Sequence, residues 1–141
     1  MKHEKSCGAV VFTRTDGEIR YVLIQQHSGV FGFPKGHVEG NETEEQTALR
    51  EVFEEVHLTP RLIGSFRETE EYILTGEEDI FKTVVYFLAE YSGQEILVQP
   101  EELIGAPVVS YEEAMELLEF DRKKRILKAA HEYLLAAQSN S

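Results

Sequence analysis

The chain has 141 residues, with 26 Asp and Glu against 14 Lys and Arg, giving a formal net charge of −12 and a pI of about 4.8. That length suits one domain with a real core and is short for two, and the balance of 42% hydrophobic to 28% charged residues is that of a soluble globular chain. Such acidity argues against a nucleic-acid polymer or an anionic membrane as partner, but it admits a small polyphosphate whose charge is met locally by divalent metal.

The opening "MKHEKSCGAVVF" carries no signal-peptide core, and no apolar run in the chain approaches a membrane span. Its Cys7 is the single cysteine, so no internal disulfide can form and a reducing cytoplasm is the expected compartment, with Cys7 a small structural residue. "GAVVFTRTDGEIRYVLIQQ" reads as a hairpin turning at Asp16-Gly17. After the loop "HSGVFGFPKG", Thr43 with Gln46 three residues on makes a capping box and starts a helix that ends near His57. "RLIGSFRETEEYIL" and "DIFKTVVYFLAEY" are two further strands joined by the turn "TGEED". A loop, "SGQEILVQPEELIG", leads to the short strand "APVVS" and then to two amphipathic helices at about residues 111–138, the second expected to pack on the sheet. Residues 138–141 are expected to fray. Strands interleaved with helices make a mixed-sheet α/β layered fold.

The helix beginning at Thr43 raises the functional question. At about 100° per residue, Leu49, Val52, Phe53 and Val56 share one side, while Glu51, Glu54 and Glu55 lie roughly opposite with Glu44 and the small Ala48. Like charges three and four residues apart repel, so such a stripe is either a solvated face or a platform for a cation. Spacing alone favours the solvated face.

The surrounding residues favour the platform. Gly36, Glu42, Arg50, Glu51, Val52, Glu54, Glu55 and Leu58 fall on the pattern G-x5-E-x7-R-E-U-x-E-E-x-G-U, the signature of the Nudix hydrolases. Six fixed positions match, which chance produces on the order of once in 10⁷ starts. The one departure is His57 where the pattern has its last glycine. "PKGHVE", "KTVVYFLAEY" and "SYEEAMELL" resemble the diadenosine tetraphosphate hydrolase branch, in register across nearly the whole chain.

The resemblance implies one Nudix domain over residues 1–141, with its box at 36–58, folded as an α/β/α sandwich around a mixed sheet. It implies metal-dependent hydrolysis of a phosphoanhydride bond in a dinucleoside polyphosphate, with diadenosine tetraphosphate cleaved asymmetrically to ATP and AMP. By resemblance Glu51, Glu54 and Glu55 bind Mg²⁺ (or Mn²⁺), with the Gly36 carbonyl as a further ligand; hard cations prefer such oxygens and bridge to substrate phosphate. Arg50 is placed to grip a carboxylate through its planar fork, and Glu42, lying before the helix, takes an outer role. Lys35 and Lys82 neutralise phosphate oxygens, His37 contacts phosphate or caps the turn, and by resemblance Tyr72 and Phe120 are the rings that clamp adenine. The general base is Glu54 or Glu102, and the sequence does not separate them.

Other readings fit parts of this pattern. The same box serves pyrophosphatases acting on oxidised nucleotides, ADP-ribose or diphosphoinositol polyphosphates, and a non-catalytic nucleotide sensor could share the fold. The intact box glutamates favour the enzyme. A small-molecule nucleotide is the expected partner, and monomer and dimer are both compatible with the sequence. His3, His27 and His131 show no metal-ligand spacing and read as structural or surface residues. His57 is expected in the left-handed conformation that glycine would adopt just past a helix end.

Overall fold

A computed structural model of the chain describes residues 1–139. In chain order the strands are β1 (Lys2–Thr15), β2 (Glu18–Val22), β3 (Ile24–Gln25), β4 (Phe31–Gly32), β5 (Lys35–His37), β6 (Arg61–Leu62), β7 (Glu68–Leu74), β8 (Ile80–Glu90) and β9 (Val108–Val109). The helices are α1 (Glu44–Val56), α2 (Tyr111–Leu117) and α3 (Asp121–Ser139). Among the described residues no helix is long and apolar enough to cross a membrane.

β1 organises the sheet. It starts six residues before the expected Gly8, and its whole upstream length runs parallel to β8, from Lys2 opposite Ile80 to Phe12 opposite Glu90. Along its other edge β1 pairs antiparallel first with β5 and then with β2, through the expected turn at Asp16 and Gly17, both at positive φ. One parallel pairing within an otherwise antiparallel sheet makes it mixed. The approach of β5 depends on Gly8, where a Cβ would overlap the Pro34 carbonyl oxygen and the Lys35 backbone.

The period-two alternation of β1 and β8 builds the two faces. Val10, Phe12, Val84, Tyr86 and Leu88 turn to one side, where Ile126, Leu127, Ala130 and Leu134 of α3 cover them. Cys7, Ala9, Val11, Val85, Phe87 and Ala89 turn to the other, beneath Ala48, Val52 and Val56 of α1. The result is the expected α/β/α sandwich, with α3 packed on the sheet. Burial of each large aliphatic or aromatic side chain contributes about 1.5–3 kcal/mol.

Four local expectations are corrected. The strand expected across 61–74 is two strands, because the chain turns at Gly64 (φ 58°) before β7 resumes the antiparallel pairing with β8. Gln138 is part of α3 and not of a frayed tail; residues 140 and 141 lie outside the described residues. Phe53, expected on the apolar side of α1, is exposed, while Ala48, expected to face a ligand, is fully buried against Cys7, Val85 and Phe87. α1 therefore lies on the sheet along the 48–52–56 line, and Glu51 and Glu55, next to that line on the helix surface, are half-buried.

The ends of α1 are as expected. Thr43 and Gln46 form the reciprocal capping box, and His57 closes the helix at φ 63° and ψ 33°, donating its N–H to the Phe53 carbonyl at 2.9 Å. The His57 ring also packs against Phe53 in a tilted arrangement, with centroids 4.5 Å apart, and that contact offsets part of the backbone strain. His57→Gly is therefore expected to stabilise the protein by about 0.5 kcal/mol in chemical denaturation. Destabilisation by glycine would mean that the ring contact outweighs the left-handed strain.

Candidate active site

Arg50 holds the entrance to α1 together. Its Nε and Nη2 donate to the two Glu42 oxygens at 2.7 and 3.0 Å, the bidentate fork expected of it. Nη1 donates to Glu51 at 3.1 Å and to both Glu54 oxygens at 3.1 Å, and Nη2 also reaches the His37 carbonyl at 2.9 Å. These hydrogen bonds from Arg50 hold the Glu42 carboxyl down at about 2. One guanidinium thus ties the loop before α1 to three carboxylates of the box.

Glu51 and Glu55 are in a different electrostatic position. Burial raises the Glu51 carboxyl above its usual range despite the Arg50 hydrogen bond. Glu55 is pushed up to about 8, first by burial and then by the charge of Glu51, and its Oε2 is buried without a hydrogen-bond partner. A solvated stripe would not behave this way. The backbone at Gly36 adjoins the pair so closely that a Cβ there would overlap the Glu51 carboxylate.

That donor set fits a hard divalent cation. An unpartnered buried carboxylate oxygen, a second carboxylate and a close-lying glycine backbone supply oxygens on one side and leave the other open to water and phosphate. Among the described residues no three Asp, Glu, His or Cys side chains converge on one point by themselves. Glu54 is drawn towards Arg50 instead, with its side chain 53% exposed.

Glu102 comes to the same region from the far loop. It lines one groove with Glu54, His57 and Gln99, and another with Glu55, Gln26 and His27. Glu101 is in neither lining.

The expected lysines converge. Burial lowers the Lys35 ammonium, and Lys82 and Lys123 lower it further, so three cations share one electrostatic neighbourhood with Glu55. Lys82 is buried, with Nζ 3.6 Å from Glu4 Oε1. The His37 ring is exposed and lies 3.5 Å from the same Glu4 oxygen. Tyr72 and Phe120 are also brought together, but the Arg122 guanidinium lies over both rings, with Cζ 4.3 and 4.4 Å from their centroids.

Sequence reasoning missed Glu4, Glu70, Arg122 and Lys123. Glu70 is fully buried, and its carboxylate accepts from Lys123 Nζ at 3.0 and 3.2 Å and from the Tyr86 hydroxyl at 3.3 Å. Strand alternation in "ETEEYIL" places Glu70 and Tyr72 on one face, so an inward carboxylate was readable. Its charged partners come from "DRKK", more than fifty residues away, and nothing local points to them.

A NUDIX domain profile matches residues 2–130. The chain belongs to the Nudix hydrolase family. Nudix hydrolases generally use divalent metal ions, in keeping with the donor set around Glu55. The asymmetrical bis(5'-nucleosyl)-tetraphosphatase of Sus scrofa is 31% identical, over 92% of this chain and 95% of that protein. The crystal structure of a C. elegans Ap4A hydrolase binary complex superposes with a TM-score of 0.86 at 25% identity, covering 94% of this chain and 98% of that one. The NUDIX domain of Shewanella oneidensis NrtR, complexed with ADP ribose, shares the fold at a TM-score of 0.72 and 22% identity, over 95% of this chain and 90% of that one.

The raised Glu55 carboxyl has a thermodynamic consequence. Its folded-state value of about 8 lies above the unfolded value, so the folded protein keeps a proton that the unfolded chain releases. The contribution is fully present below about pH 4.3, the unfolded carboxyl value, and is lost as pH rises through about 8. Glu55→Gln is expected to melt higher than the parent in EDTA at pH 8, by a few degrees, and to show a flatter stability profile between pH 5 and 8. Equal midpoints and equal slopes would show that Glu55 carries no burial penalty.

Proposed function

We propose that the protein hydrolyses dinucleoside polyphosphates, cleaving diadenosine tetraphosphate to ATP and AMP with Mg²⁺ or Mn²⁺. One observation carries the reading: the half-buried Glu51–Glu55 pair beside Gly36 adjoins the Lys35, Lys82 and Lys123 cluster, which leads through Glu70 to the Tyr72 and Phe120 rings. Carboxylates, ammonium groups and aromatic faces are what a metal-bound polyphosphate ending in a base requires. The similarity to the Sus scrofa enzyme along nearly its full length supports the same reading.

When bound, the metal supplies charge neutralisation at the phosphate oxygens and lowers the pKa of a coordinated water. Glu51, Glu55 and the Gly36 carbonyl would hold it, with Glu54 joining from its place on Arg50. Lys35 and Lys82 bind and orient the phosphate chain and offset charge on the leaving triphosphate. Glu102, which shares one groove with Glu54 and another with Glu55, takes the proton from the attacking water. Arg50 orients the carboxylates without touching substrate. Tyr72 and Phe120 stack a base, at about 1–3 kcal/mol per stacked base.

Turnover of diadenosine tetraphosphate in oxygen-18 water is expected to give equal ATP and AMP, with the label in AMP alone. EDTA is expected to abolish it. Two equivalents of ADP, or label in ATP, would contradict the proposed bond cleavage.

A further inference from the structure

The aromatic pair assigned above to a base already holds a planar cation. Arg122 presents its guanidinium to Tyr72 and Phe120 at nearly equal distance, and its Nε lies 2.6 Å from Glu70 Oε2. A guanidinium is flat, and it engages a π face as a base does. A base stacked on both rings would need the space that Arg122 occupies.

Arg122 is also the cation that Glu70 can release. The Nε contact is close in distance, yet Nε makes no aligned hydrogen bond, and the Arg122 side chain is 32% exposed against 8% for Lys123. Lys123 donates to both Glu70 oxygens and Tyr86 to one. If Arg122 swings out, the buried carboxylate keeps a charged partner and a hydroxyl donor. It is therefore not left as an uncompensated charge, the outcome that makes breaking a buried pair expensive.

We propose that Arg122 gates the base subsite: it fills the slot between Tyr72 and Phe120 in the free protein and must leave when an adenine nucleotide stacks there. This inference rests on the proposed assignment of Tyr72 and Phe120 to the base. Arg122 is then a specificity-determining residue, because a ligand must out-compete its stacking and its charge contact with Glu70. Nucleotides with a strongly stacking base displace it. Ligands offering only phosphate leave it in place and occupy the lysine cluster alone.

The test is AMP titration by calorimetry on the full chain, in the parent, Arg122→Ala, Tyr72→Ala and the double variant, with folding checked by circular dichroism. Removing the competing cation should tighten AMP binding about five- to thirtyfold, the equivalent of its two ring contacts. Tyr72→Ala should weaken AMP binding, and the double variant should lose the gain. Arg122→Lys keeps the charge without the flat face and should fall between parent and alanine; it also serves as the folded variant if alanine unfolds. Unchanged or weaker AMP binding in Arg122→Ala, with Tyr72→Ala still impaired, would overturn the gate and leave the base subsite standing. AMP binding indifferent to Tyr72 would remove the base subsite, and the gate with it.

Discussion

The site depends on one arginine placed among carboxylates that would otherwise repel one another. Arg50 contacts Glu42, Glu51 and Glu54 and also the His37 carbonyl, so it fixes the loop before α1 and the acidic side of α1 in a single geometry. Hydrogen bonds to charged groups contribute about 1.5–3 kcal/mol each, and a bidentate fork adds direction to that energy. A lysine could match the charge but not the five donors that reach four partners at once. Without that geometry Glu42, Glu51 and Glu54 lose their shared donor, and the acidic side of α1 is left to repel itself.

What Arg50 leaves unsolved is Glu55. Its carboxylate is half-buried beside Glu51, and one oxygen has no hydrogen-bond partner. Stability alone would replace such a group with an amide or an aliphatic side chain. An unpartnered oxygen beside a second carboxylate and a glycine backbone makes sense if a cation completes the arrangement, since a bound cation offsets the cost of burying the two carboxylates together. The basic side of the site follows the same logic in reverse. Lys35, Lys82 and Lys123 crowd together with Glu55, Glu70 and Glu4 as their nearby carboxylates, and a polyphosphate would relieve their mutual repulsion.

The box was legible because its chemistry is local. Glu42, Arg50, Glu51, Glu54 and Glu55 sit on one short stretch, so the arginine fork and the left-handed cap at His57 could both be read from spacing. Which face of α1 meets the sheet was not. A helical wheel ranks sides by hydrophobicity, and here the sheet accepts Ala48 while Phe53 stays outside against His57. The break at Gly64 was hidden because the residues on both sides suit a strand equally well. The Glu70–Arg122–Lys123 cluster joins β7 to the start of α3, and only tertiary packing brings those segments together.

The central claim is that Glu51, Glu55 and Gly36 form a specific cation platform in a chain whose net charge is −12. Paramagnetic broadening of backbone amide NMR signals by substoichiometric Mn²⁺ tests this most directly, because it reports where the ion sits without requiring turnover. Broadening should appear first at Gly36, His37 and the Glu51–Glu55 turn, and excess Mg²⁺ should reverse it. Broadening spread evenly over distant acidic surface such as Glu18, Glu77 and Glu112, with residues 36 and 51–55 no more affected than the rest, would contradict the account.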